Sequence, residues 1–132
     1  MGNLVSPTNI VFADFESSAR WNGFPTEIGW AYQTETCVRG FGRTVAPAPA
    51  WVLPPFIWDP ESEKIHNLSL SRIQTAGTRP PDLCRYLNEA LDKCVVCFDT
   101  GPSGFDRKQL DILYSEGCCA PSFSIGESAK GL

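Results

Sequence analysis

The sequence holds a single histidine, His66, and fewer basic residues than acidic ones: 11 Lys and Arg against 15 Asp and Glu, a net charge of −4. It also lacks any apolar run of the roughly 20 residues needed to cross a bilayer, so no membrane partner is expected. Each shortage excludes something. With one histidine, a zinc site would need four thiolates. A protein that holds long duplex nucleic acid usually carries a basic surface, which the acidic balance argues against. An enzyme that grips a few nucleotides through bound metal is still compatible with it. The opening MGNLVSPTN has neither the basic region nor the apolar core of a secretory signal. Gly2 followed by Ser6 does fit the bare myristoylation pattern.

The chain has 132 residues, enough for one domain with a real core and too few for two. Hydrophobic residues make up 42% and charged ones 20%, which places it among ordinary globular chains and not disordered ones. The six cysteines stand at 37, 84, 94, 97, 118 and 119. Cys94 and Cys97 form a C-x-x-C, but inside the strand-like run CVVCF. Residues three apart in a strand face opposite sides and do not readily chelate one ion. Buried free thiols in a reducing, cytoplasmic compartment are therefore expected.

Ile10–Ser17, IVFADFES, is the stretch that organises the chain. Four apolar residues in a row predict a strand buried on both faces. Asp14 and Glu16 then leave one face of that strand, with Phe15 turned into the opposite layer. Paired carboxylates at such a place are costly unless a hard cation, which prefers oxygen ligands, lies between them. The alternative is that the strand end turns into solvent and the acids merely face water.

Glu27–Gln33 predicts a second strand, hairpin-paired to the first, with Ile28, Trp30 and Tyr32 on one face. A third strand is expected around Cys37 to Val45. The Pro-rich run Ala46–Phe56 predicts an extended connection. WDPESEKIH is a helix start: Asp59 suits the N-cap, Pro60 the first position, and Ile65 with Leu68 the apolar side. Ser69 predicts the cap of a second short helix, ending by Gly77. Leu83, Leu87, Ala90 and Leu91 predict an amphipathic helix over Asp82–Lys93. Cys94–Asp99 predicts a buried strand, Phe105–Glu116 a further helix stopped by Gly117, and Ser122–Ile125 a weak strand. The fold class is α/β, a strand hairpin followed by helical crossovers. Asp106 falls in the first turn of the last helix, where a negative side chain is favoured.

Three segments, taken in order and spacing, resemble a known family. These are Asp14-Phe15-Glu16, Ile65-His66-Asn67-Leu68-Ser69, and Gly104-Phe105-Asp106-Arg107-Lys108-Gln109-Leu110. They are similar to the DEDD-type (DnaQ-like) 3′–5′ exonucleases of the ribonuclease H-like superfamily, the group that includes the proofreading subunit of bacterial DNA polymerase. The run WDPESEKIHNLSLSRI, followed by LNEAL, resembles a bacterial subgroup of small exonucleases, with Phe98-Asp99 where the second motif's His-Asn pair is replaced.

The resemblance implies a ribonuclease H-like mixed sheet flanked by helices. It implies Asp14, Glu16 and Asp106 as catalytic metal ligands, and two Mg²⁺ or Mn²⁺ ions hydrolysing the terminal phosphodiester of single-stranded DNA or RNA. Phe15, Ser17, His66 and Phe105 would border the substrate's 3′ end. Asn67 replaces the usual glycine. The family's third motif, with its fourth carboxylate and a general-base histidine, is not found before Leu132, and the helix that carries it is expected to be missing. A fragment of a longer protein, with impaired activity as it stands, is the expectation; a natural short form is the alternative. Whether the chain is an enzyme thus stays open. Relatives of this kind are often homodimers. The competing function is a non-catalytic nucleic-acid-binding or scaffold module, in which Trp21, Trp51 or Trp58 stack on bases. A weaker third reading is a zinc or thiol protein using Cys94, Cys97, Cys118 and Cys119.

Overall fold

The computed structural model describes residues 9–127. The myristoylation pattern of Gly2 and Ser6 lies outside them. Five strands form one sheet in the order β3-β2-β1-β4-β5. β1 (Ile10–Ser17), β2 (Pro25–Gln33) and β3 (Val38–Thr44) make an antiparallel meander. β4 (Val95–Phe98) runs parallel to β1, and the two-residue β5 (Ser124–Ile125) parallel to β4. The helices are α1 (Pro60–His66), α2 (Leu70–Ala76), α3 (Pro80–Ala90) and α4 (Phe105–Gly117). The expected elements are all present, with ends moved by up to three residues.

Alternation along β1 divides the molecule. Val11, Ala13, Phe15 and Ser17 point inward and are buried. Phe12, Asp14 and Glu16 point to the other side, where Phe12 is 41% exposed. The apolar run therefore does not mark a strand buried on both faces, as its composition predicts. The inner face carries α3 and α4, which pack together there, with α4 against β1 and β2. Leu83 and Leu87 from α3 and Leu110 and Leu113 from α4 meet Val11, Phe15, Ile28 and Trp30 in one core. Pairing of Ala13 with Trp30 and of Phe15 with Ile28 puts the large β2 side chains on this inner face. The same register leaves Gly29 beside Asp14 on the outer face, and Gly42 beside Gly29.

Caps follow the sequence closely. The Asp59 side chain accepts a hydrogen bond from the Glu61 amide at the start of α1, and Ser69 from the Arg72 amide at the start of α2. Two details depart from expectation. Ile65 is 76% exposed and does not form the inner side of α1; Ser62 is the buried residue there. Gly117 is the last helical residue of α4 and not its stop, because Cys118 takes the left-handed cap, with φ 58°. The Pro-rich connection is extended only at its start: a 3₁₀ turn follows at Pro49–Val52, and then a turn closed by the Phe56 amide donating to the Leu53 carbonyl at 3.2 Å.

That connection is held by aromatic packing. Phe24 is buried, and its ring stacks on Trp51 at 5.7 Å and meets Trp58 at 6.0 Å and Phe56 at 6.2 Å. Phe24→Ala is expected to cost about 3–5 kcal/mol in urea-induced unfolding, whereas Ile65→Ala on the exposed side of α1 stays within about 0.5 kcal/mol.

Candidate functional site

β4 stops at Phe98, opposite Ala13. Two residues further along β1, the Phe15 amide has run past the end of its parallel neighbour, and a buried amide needs an acceptor. Asp106 supplies it: its Oδ1 accepts from the Phe15 N–H at 2.8 Å. Its Oδ2 accepts from the Thr100 hydroxyl at 2.6 Å, and the Asp106 amide donates to the same hydroxyl oxygen at 3.1 Å. The carboxylate is 3% exposed. It links the first turn of α4 to the end of β1 and to the loop that follows β4.

Asp14 and Glu16 leave the outer face, as their spacing predicts. Asp14 borders an open groove of about 680 Å³ whose walls include Phe12, Gly29, Gly42, Cys97 and Asp99. Gly29 keeps this floor low: a Cβ there would lie 3.3 Å from Asp14 Oδ1. Partial burial raises the Asp14 pKa above 3.8, and the nearby Asp106 carboxylate raises it further. Burial is also the main cause raising the Glu16 pKa above 4.5. His66 opposes that rise, while Asp14, Glu27 and Asp106 add to it. His66 Nδ1 lies 2.5 Å from Glu16 Oε2, so the end of α1 fixes this carboxylate.

The remaining predicted site residues are spread more widely. Phe15 is buried against Phe98, with ring centroids 6.2 Å apart, and offers the site its amide and not its ring. Ser17 is buried on the inner side, where its hydroxyl donates to the Ala19 carbonyl, so it does not line the outer face. Phe105 is half-buried at the first position of α4. Of the tryptophans, Trp51 is buried, Trp58 is half-buried and donates to Glu63, and Trp21 is 76% exposed.

Two residues of the site were given no site role by the sequence, although the resemblance sets Asp99 at the second motif. Asp99 continues the β4 alternation that places Cys97 beside Phe12, and so reaches the same groove as Asp14. The period-two rule applied to β1 would have found it had it been extended past β4. Thr100 carried no pattern that marked it as the partner of Asp106.

All six cysteines are free thiols; Cys84, Cys94 and Cys97 are buried, whereas Cys37, Cys118 and Cys119 are exposed, contrary to the expectation of uniformly buried thiols. Among the described residues no group of three or more His, Cys, Asp or Glu side chains is arranged to hold a metal ion, and no helix is long and apolar enough to cross a membrane. The donor set still suits a hard cation. Asp14 and Glu16 offer oxygen ligands on one face, and both are driven toward protonation by burial and by neighbouring acids. Magnesium is commonly held by one or two carboxylates, with water and phosphate oxygens completing its shell.

No protein-family model matches the sequence, and no curated protein matches it. Solved structures of exonuclease I do match the fold. E. coli exonuclease I in complex with a dT13 oligonucleotide aligns with a TM-score of 0.67 and 12% identity, over 88% of this chain and 27% of that one. Exonuclease I from Methylocaldum szegediense gives 0.67 and 11%, over 89% and 27%. A complex of exonuclease I with SSB-Ct gives 0.69 and 11%, over 89% and 27%. The chain thus spans about a quarter of the length of these proteins. The likeness is one of fold: an α/β, ribonuclease H-like mixed sheet flanked by helices. Among the described residues no helix follows β5.

Two outcomes follow for stability. Asp106→Ala strands the Phe15 amide and is expected to cost about 1–3 kcal/mol by chemical denaturation; Asp106→Asn, which retains an acceptor oxygen, costs less. The raised Asp14 pKa means that the folded state holds this proton more tightly than the unfolded chain. Its stabilising share is complete below the unfolded value of 3.8 and is lost as pH rises through the folded value. Asp14→Asn should therefore raise Tm at neutral pH, and the gain should vanish in melts below pH 3.8.

Proposed function

We propose that this chain is the part of a 3′–5′ exonuclease that binds divalent cation and the substrate 3′ end, with residues 1–132 forming a single domain. The reading is carried by one arrangement: Asp14 and Glu16 on the outer face of β1, with Asp106 behind them at the start of α4, in a fold shared with exonuclease I. Asp14 and Glu16 would hold Mg²⁺ or Mn²⁺, and Asp106 would complete the set. Its two hydrogen bonds still leave each carboxylate oxygen a lone pair. When bound, a pair of such ions supplies an activated water and charge stabilisation at the leaving 3′ oxygen.

The chain's own residues do the positioning. His66 holds Glu16 in one orientation, and Thr100 does the same for Asp106. The glycines beside Asp14 leave room for a sugar-phosphate backbone to come close to the sheet. The substrate is single-stranded DNA or RNA, engaged at its end, because a net charge of −4 gives little long-range attraction for a duplex.

A second reading has its own support. Both Asp106 oxygens are already engaged by the protein, which suits a ribonuclease H-like module that binds nucleic acid without cleaving it. Mn²⁺ titration followed by electron paramagnetic resonance separates the two. The exonuclease reading expects saturable binding, weakened at least about tenfold, or about 1.4 kcal/mol, by Asp14→Ala and by Glu16→Ala. Unchanged affinity in both variants, or no binding at all, overturns the cation site. Loss of a dT oligonucleotide's affinity on blocking its 3′ end tests the substrate half of the proposal; equal affinity for blocked and free ends favours the non-catalytic module.

A further inference from the structure

Away from the acidic face, three residues converge where the end of α4 crosses α3. Cys84 lies on the inner side of α3 and is fully buried, with its thiol donating to the Leu113 carbonyl at 3.6 Å. Gly117 sits directly over it: a Cβ at Gly117 would lie 2.5 Å from Cys84 Sγ and 3.0 Å from Cys84 Cβ. Two residues later Cys119 returns to the same place. Its sulfur lies 4.0 Å from the side-chain amide nitrogen of Asn88, one helical turn beyond Cys84 on α3.

Asn88 fixes this crossing from several directions. It donates to the Ala120 carbonyl at 3.0 Å and accepts from the Tyr114 hydroxyl at 2.8 Å and from the Ser122 amide at 3.1 Å. Cys119 is exposed and borders a cleft of about 550 Å³ with Asn88, Arg85 and Gly117, roomy enough for a small oxidant. Cys118 is turned differently, its sulfur facing the Ser115 and Glu116 carbonyls of its own turn at 3.9 and 3.7 Å.

We propose that Cys84 and Cys119 form an oxidant-sensitive pair, which a hydroperoxide converts into an intrachain disulfide joining α3 to the segment after α4. Cys119 reacts first, since it is the accessible partner. It gives its proton to solvent, and its sulfur attacks one peroxide oxygen. An S–O bond forms, the O–O bond breaks, and the departing hydroxide takes up a proton to leave as water. The product is a sulfenic acid. The Cys84 sulfur then attacks the Cys119 sulfur. The S–S bond forms, the S–O bond breaks, and the Cys84 proton leaves with the hydroxide as a second water. Two thiols give two electrons to one hydrogen peroxide. In a reducing compartment such a bridge is transient and belongs to redox sensing, not to permanent architecture.

The test treats the purified 132-residue chain with hydrogen peroxide, blocks remaining thiols under denaturing conditions, and maps tryptic peptides by mass spectrometry. The expected result is a linkage between peptide 73–85, which carries Cys84, and peptide 109–130, which carries Cys118 and Cys119. It should form in the wild type and in Cys118→Ser, disappear in Cys119→Ser, and be reversed by dithiothreitol. Cys119→Ser alters an exposed side chain, so the test does not depend on the buried Cys84 tolerating replacement. A bridge confined to peptide 109–130, disulfides between chains, or a linkage that persists in Cys119→Ser would overturn the proposal. So would full alkylation of both thiols after oxidation.

Discussion

A buried hydrogen bond from the Phe15 amide to the Asp106 carboxylate ties the end of β1 to the start of α4. β1 is longer than its parallel neighbour, and the sheet would otherwise leave a donor unpaired inside the protein, at a cost of about 1–3 kcal/mol. The carboxylate that answers this need comes from a residue 91 positions away. It fixes where α4 begins, and with it the direction of Leu110 and Leu113 into the core. The Thr100 hydroxyl serves both the side chain and the amide of Asp106, so the loop after β4 is set by the same link. A structural requirement of the sheet and the placing of an acid next to the outer-face carboxylates are here one and the same contact.

The outer face carries the opposite balance. There Asp14, Glu16 and Asp99 are gathered on a surface of small residues, and neighbouring acids raise the cost of ionising Asp14 and Glu16. Nothing in the packing of the core demands this. The inner face of the same strands is satisfied by large apolar side chains in ordinary alternation. Carboxylates gathered where the core gains nothing from them are the oxygen donors that a hard cation prefers.

Much of this was readable in the sequence because it rests on local rules. The period of two along IVFADFES placed Asp14 and Glu16 together, and the Asp59 and Ser69 caps located α1 and α2. The errors came where tertiary context decides. Whether Phe12 is covered depends on what lies across the sheet, which no window of eight residues reports. Ile65 looked like an inner residue because it is apolar, but a helix of seven residues buries little, and Ser62 took that place. Thr100 was invisible for another reason. Its importance comes from the loop geometry after β4, and loop conformation follows no periodicity. Ser17 was assigned from its neighbours in sequence, yet the same alternation that places Asp14 and Glu16 outward turns it inward with Phe15, where its hydroxyl donates to the Ala19 carbonyl.

β3 has a consequence that concerns the protein's life in a crowded solution. It is an outer strand of the sheet, paired on one side by β2; among the described residues no strand pairs its other edge, where only the last carbonyl, of Thr44, accepts from the Thr78 amide. Such edges recruit strands from other molecules unless something discourages it. Here Arg39 and Arg43 punctuate the strand, and Gly40 and Gly42 weaken its intrinsic preference for extended pairing. The Arg43 guanidinium is held over the Tyr86 ring at 4.7 Å and donates to the Gly42 carbonyl at 2.8 Å. The same glycines that keep the outer face low thus help make β3 a poor template for aggregation.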